Sequence, residues 1–90
     1  MWYEVITDHG FDDDCENLGL SADEREVFLE AVEWLLSREP ELGQRTMPDP
    51  ISLSYYWYRH DSGRDIVVQY RIEGDSVILE RAVWDTSDDF

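Results

Sequence analysis

His60 stands beside Arg59, with Arg64 four residues further on. Those residue types could do chemistry. Cleaving RNA through its 2′-hydroxyl takes a proton acceptor, a proton donor and cations that stabilise the crowded phosphate. An imidazole flanked by two guanidiniums holds all three. The plainer alternative is that Arg59, Arg64, Arg71 and Arg81 each neutralise a nearby acid on a solvated strand face. His60-Asp61-Ser62-Gly63 then reads as a hairpin turn, where a polar residue needs no special reason. The balance of charge favours the plainer alternative. The 90 residues carry 22 acids against seven arginines and no lysine, for a net charge of −15. Such a surface repels nucleic acid and anionic membranes and attracts basic surfaces. No catalytic set is assigned.

Asp8, His9, Asp12, Asp13, Asp14, Cys15 and Glu16 gather many metal-ligand types in a short stretch. Their spacing fits no calcium loop of the D-x-[DN]-x-[DN]-G form and no histidine pair at i, i+4. On a helix most of these acids would point away from one another, so no metal and no cofactor is expected. Cys15 falls on the apolar side of that helix and reads as a small buried residue. One cysteine permits no intrachain disulfide.

The run Tyr55-Tyr56-Trp57-Tyr58 is a third candidate. On a strand Tyr55 and Trp57 face one way and Tyr56 and Tyr58 the other. One pair is expected under the helices. The other is either a cross-strand cluster or a contact surface, Tyr and Trp being common interface anchors. Stacking on single-stranded bases is opposed by the negative field.

The strongest candidate is a stripe of acids. Glu26, Glu30 and Glu33 are spaced i, i+4, i+7, and Asp23 lies on the same side. At about 1.5 Å of rise per residue the three glutamates fall about 5 Å apart. Phosphates on one strand of duplex DNA advance by about 3.4 Å, so a rigid stripe could imitate a short phosphate row. Asp12, Asp13, Asp14 and Glu16 supply a second acidic edge. Like charges at i, i+4 cost a few tenths of a kcal/mol each, and no Lys or Arg at neighbouring positions relieves Glu30 or Glu33. Plain solubility and adaptation to high salt also produce acidic chains, and both remain open.

The elements that must position these residues follow from the pattern. Met1 to Thr7 reads as a strand. Thr7 or Asp8 could cap a short helix with Phe11, Cys15 and Leu18 on one face, stopped at Gly19. Ser21-Ala22-Asp23-Glu24 is a capping box. It opens a helix to about Ser37, with Phe28, Ala31, Val32, Leu35 and Leu36 inward. Residues 39–51 hold all three prolines and read as a loop. Three strand-like runs follow, 52–59, 66–72 and 77–84, the last two joined by Glu73-Gly74-Asp75. The fold class is α+β in the order β-α-α-β-β-β: an antiparallel sheet with two helices on one face. Residues 1–84 form a single domain and 85–90 an acidic tail. There is no leader with a basic head and apolar run and no span of ~20 apolar residues. A soluble, cytoplasmic protein is the default.

The chain resembles the RelE/ParE toxins of bacterial toxin–antitoxin systems. YEVIT, the Phe-led helix FDDDCENL, the stretch EVFLEAVEWLLSREPELG and the hairpin DIVVQYRIEGDSVILERAV carry the likeness across residues 2–83. The resemblance implies that fold and two activities. Ribonuclease members cut messenger RNA on the ribosome with basic and aromatic residues, for which Arg59, Arg64, Arg71, Arg81, Tyr70 and His60 are the positions here. Others poison DNA gyrase without catalytic residues. The absence of lysine and the C-terminal Asp88-Asp89-Phe90 depart from the ribonuclease pattern. The expected function is therefore a non-enzymatic inhibitor of the anti-CRISPR or anti-restriction kind. It would bind a protein with a basic, nucleic-acid-binding surface through Asp12, Asp13, Asp14, Glu16, Asp23, Glu26, Glu30 and Glu33, and would not bind nucleic acid itself. A RelE/ParE toxin, messenger-RNA-cleaving or gyrase-directed, is the alternative.

Overall fold

A computed structural model of the chain describes residues 2–40, 44–45 and 53–85. Its elements are β1 (Glu4–Thr7), α1 (His9–Asn17), α2 (Ala22–Arg38), β2 (Gln44–Arg45), β3 (Leu53–Arg59), β4 (Asp65–Glu73) and β5 (Ser76–Trp84). Asp8 caps α1, its carboxylate accepting the His9 N–H at 2.7 Å. The capping box forms as the sequence dictates. Ser21 Oγ accepts the Glu24 N–H at 3.1 Å, and Glu24 Oε1 accepts the Ser21 N–H at 2.9 Å, satisfying two backbone donors that the first turn would leave orphaned. Gly19 follows α1 with φ 76°, a left-handed conformation that glycine adopts without strain.

The strands run in the order β1-β5-β4-β3-β2. Strands β3, β4 and β5 form the antiparallel meander. The expectation of a wholly antiparallel sheet is corrected at one edge, where β1 pairs with β5 in parallel, Glu4 opposite Ser76 through Thr7 opposite Leu79. A lone strand carries no record of its direction in its side-chain alternation. The long helical return between β1 and the meander permits the parallel pairing. Part of the proline-rich loop also differs: Gln44 and Arg45 pair with Tyr55 and Ser54 as the short strand β2. The rest of 41–52 and the tail from 86 lie outside the described residues.

Both helices pack on one face of the sheet. The core joins Phe11, Cys15 and Leu18 of α1 and its C-terminal end to Phe28, Val32 and Leu36 of α2. Against them lie Ile66, Val68 and Tyr70 of β4 and Val77, Leu79 and Ala82 of β5. The Phe11 and Phe28 rings stack at 6.4 Å, and Tyr58 meets Phe28 edge-on at 5.0 Å. Buried Tyr70 donates its hydroxyl proton to the Pro40 carbonyl, fixing the chain where it leaves α2.

A β-bulge shapes the edge that α1 must cover. Gln69 pairs with Arg81 but Tyr70 pairs with Leu79, leaving Glu80 as the extra residue. β1 ends opposite Leu79, so the remaining edge of β5 would present bare amides. Helix α1 lies against it instead. Asp14 Oδ2 accepts the Ala82 N–H at 2.9 Å, and Trp84 Nε1 donates to the Leu18 carbonyl at 3.0 Å.

Candidate partner-binding face

Asp14 is a correction to the acidic display. It is 9 % exposed, the most buried carboxylate among the described residues. Arg81 grips it with two bonds, Nε to Oδ2 at 2.7 Å and Nη2 to Oδ1 at 3.2 Å. This contact, chiefly the hydrogen bond from Arg81, holds the Asp14 carboxyl below the usual carboxylate range despite burial. The helical angle explains it. Asp14 is three residues after Phe11 and four before Leu18, so it faces the sheet while Asp12 and Asp13 face water. Asp14 is therefore an edge cap, and Arg81, which the resemblance offers for ribonuclease chemistry, is its partner. Next to it, burial pushes the Cys15 thiol up to about 11, assisted by Asp12, so this cysteine stays protonated and inert at neutral pH.

The remaining seven acids are displayed. Asp12, Asp13, Glu16, Asp23, Glu26, Glu30 and Glu33 are all exposed. Among the described residues none of them forms an ion pair. The carboxylates that do include Asp14, Asp65, Glu73 and Glu80. Four of the arginines are engaged away from the stripe. Arg59 pairs with Asp65, Arg71 spans Glu73 and Glu80, and Arg81 holds Asp14. Arg64 stacks on Trp84, its Cζ 4.6 Å from the ring.

The stripe is not purely polar, which the sequence reading missed. Val27 and Trp34 of α2 are 58 % and 59 % exposed, and Trp2 before β1 is 67 % exposed. Trp2 and Trp34 enclose the Arg38 guanidinium, whose Cζ lies 3.6 Å from one ring and 4.1 Å from the other. The i, i+4 spacing of Trp34 and Arg38 was a readable signal for half of this stack.

Among the described residues the other sheet face carries no helix. Tyr55 and Trp57 point there, their rings 6.3 Å apart, while Tyr56 and Tyr58 pack toward the core. The register places Tyr55 opposite Gln69 and Trp57 opposite Val67. The nearby cations Arg59 and Arg71 already hold carboxylates, which lowers the capacity of this face for phosphate. His60 is engaged too. Its Nδ1 accepts the Ser62 N–H at 3.1 Å, which places the neutral ring's proton on Nε2, donated to Glu24 Oε2 at 2.7 Å. That bond and, above it, the capping contact with the Ser21 backbone keep the Glu24 carboxyl low. Tyr70, another ribonuclease position, has its hydroxyl in the core. The arrangement brings no free base, acid and cation together on one surface among the described residues. Among the described residues no three His, Cys, Asp or Glu side chains converge to hold a metal ion, and no helix is long and apolar enough to cross a membrane.

No protein-family model matches the chain, and no curated protein sequence matches it significantly. The structure does have a solved neighbour. It superposes on a chain of the toxin–antitoxin complex RelBE2 from Mycobacterium tuberculosis with a TM-score of 0.69 at 19 % sequence identity. The match covers 94 % of this chain and 100 % of the other. The chain thus has a RelE-like α+β fold, similar to one component of a toxin–antitoxin complex.

Proposed function

We propose that this chain is a toxin of the RelE/ParE type that acts by occupying another protein rather than by cleaving RNA. Its target is a protein whose basic surface ordinarily handles nucleic acid. The fold likeness to a toxin–antitoxin component supports the first half of the reading. One observation carries the second half: seven exposed acids on α1 and α2 have no ion-pair partner among the described residues, while Arg59, Arg71 and Arg81 are each committed to an acid elsewhere. A surface in that state attracts cationic partners and repels RNA.

Inducible expression in a bacterial host tests this. Growth arrest with intact messenger RNA is expected, and it is relieved by the triple change Glu26→Gln, Glu30→Gln, Glu33→Gln. Arrest accompanied by cut messages and abolished by Arg71→Ala would replace this reading with the ribonuclease one. Harmless expression would overturn the toxin reading. The unneutralised stripe favours a second reading in that event, a stand-alone inhibitor of the anti-CRISPR or anti-restriction kind. That inhibitor would capture a nucleic-acid-binding protein in a salt-sensitive way.

A further inference from the structure

Arg38 shows what the outer surface of α2 can hold. Its guanidinium lies between two exposed indoles and donates from Nη1 to the Trp34 carbonyl at 3.1 Å and to Ser37 Oγ at 3.3 Å. Among the described residues no carboxylate lies within ion-pair distance of it, although Glu30 and Glu33 line the same groove, of about 510 Å³. The rings, then, hold this cation without an ion pair to the acids that share its groove.

Trp34 also lines a second groove of similar volume, about 510 Å³, with Glu30, Ala31, Leu35 and Tyr56. Among the described residues no arginine lines it. Its composition matches one side chain better than any other. Ala31 and Leu35 offer an apolar floor for a three-carbon stem. Trp34 and Tyr56 offer aromatic surface to a planar cation, and Glu30 offers a carboxylate within the same groove. A lysine would use the carboxylate but gain less from the rings, because its ammonium is compact and strongly hydrated.

We propose that this second groove docks an arginine side chain on a basic segment of the partner protein. It rests on the reading of α2 as a partner-binding face and names what that face recognises. Asp23, Glu26 and Glu33 attract the flanking positive residues, while Trp34, Tyr56 and Glu30 select arginine. Surplus negative charge along α2 and the guanidinium already stacked on Trp34 are the two independent supports for this occupant.

The experiment titrates the purified chain with hexa-arginine and hexa-lysine peptides of equal charge, read by tryptophan fluorescence. The arginine peptide is expected to bind about tenfold more tightly, roughly the effect of one or two cation–π contacts and a directional ion pair. Trp34→Ala should remove most of that preference and leave the weaker, salt-sensitive attraction common to both peptides. Trp34→Phe should restore part of it. Because Trp34 is exposed, circular dichroism should show its variants folded. Should Trp34→Ala nonetheless misfold, Glu30→Gln provides the second reading, a loss of about threefold confined to the arginine peptide. Equal affinity for the two peptides, or an arginine preference unchanged in both variants, overturns the site. Equal affinity alongside intact growth arrest removes the arginine site alone. Arginine preference without growth arrest removes the toxin reading alone.

Discussion

Neutralising Glu30 should make the protein more stable while making it a worse binder. Glu30 sits four residues after Glu26 and three before Glu33 on exposed helix surface, and none of the three has an ion-pair partner among the described residues. Each like-charge pair at such spacing costs about 0.2–0.5 kcal/mol. Glu30→Gln removes both pairs at once, so the expected gain is about 0.4–1 kcal/mol. Glutamine has nearly the same shape and helix propensity, which leaves charge as the variable. For a domain this small a gain of 1 kcal/mol raises the melting temperature by about 4–8 °C, so the shift should be about 2–8 °C. Urea denaturation at low salt measures it. Near 1 M salt the screening length falls to roughly 3 Å and the gain should shrink toward zero. A Glu30→Gln chain that is less stable at low salt would refute the reasoning. It would mean that an attraction, not repulsion, governs Glu30, and the stripe would then be part of the scaffold.

Asp14 should behave in the opposite way. Asp14→Ala leaves the Ala82 N–H without its acceptor on a covered sheet edge, a loss of about 1–3 kcal/mol. Asp14→Asn keeps an acceptor and should lose less by the same denaturation measurement. The pH dependence follows from direction. The folded chain holds this carboxyl below its ordinary value, so its stabilisation is full above about pH 4 and disappears as pH falls through the lower folded value. Asp14→Asn should flatten that acid limb of the stability curve. Gly10→Val should loosen the same contact. A Cβ there already comes within 3.1 Å of the Glu80 carbonyl oxygen and 3.4 Å of Arg81 Cδ. Two further methyls would push α1 off the edge at a cost of about 1–3 kcal/mol, measurable as a fall in the urea midpoint.

The features legible in the sequence were those set by short range. Ser21 and Glu24 define α2 because capping chemistry needs only four consecutive residues. Phe11, Cys15 and Leu18 announce a helical face by spacing alone, and Ile66, Val68 and Tyr70 alternate as a half-buried strand must. What was not legible depended on distant partners. Asp14 looked like one more surface acid among Asp12, Asp13 and Glu16. Its inward angle was implicit in the Phe11 and Leu18 spacing, but Arg81, 67 residues away, decides its role. The bulge left a trace in the strand Val77 to Trp84, where alternation slips at Glu80-Arg81, yet its consequence needs the neighbouring register. Trp2 joins the α2 surface only because β1 adds to the sheet beside β5.

That surface contains both the missed aromatic residues and the predicted acids. The acids alone describe a diffuse attraction that any basic protein would feel. The indoles of Trp2 and Trp34, exposed beside Glu30 and Glu33, add shape and chemical preference. Tyr and Trp lose little conformational freedom on docking and are typical interface anchors. Electrostatic steering by the stripe would raise the rate of encounter, and the aromatic residues would prolong contact.

The most direct measurement is capture of host proteins on the immobilised chain, run in parallel with the Glu26→Gln, Glu30→Gln, Glu33→Gln variant across a salt series. The account predicts that the wild type retains a nucleic-acid-binding protein at low salt and releases it as salt rises. It also predicts that the variant, folded and at least as stable, retains little of it. Equal retention of that protein by both chains, or retention indifferent to salt, would contradict the claim that the unneutralised acids of α2 are what the partner recognises.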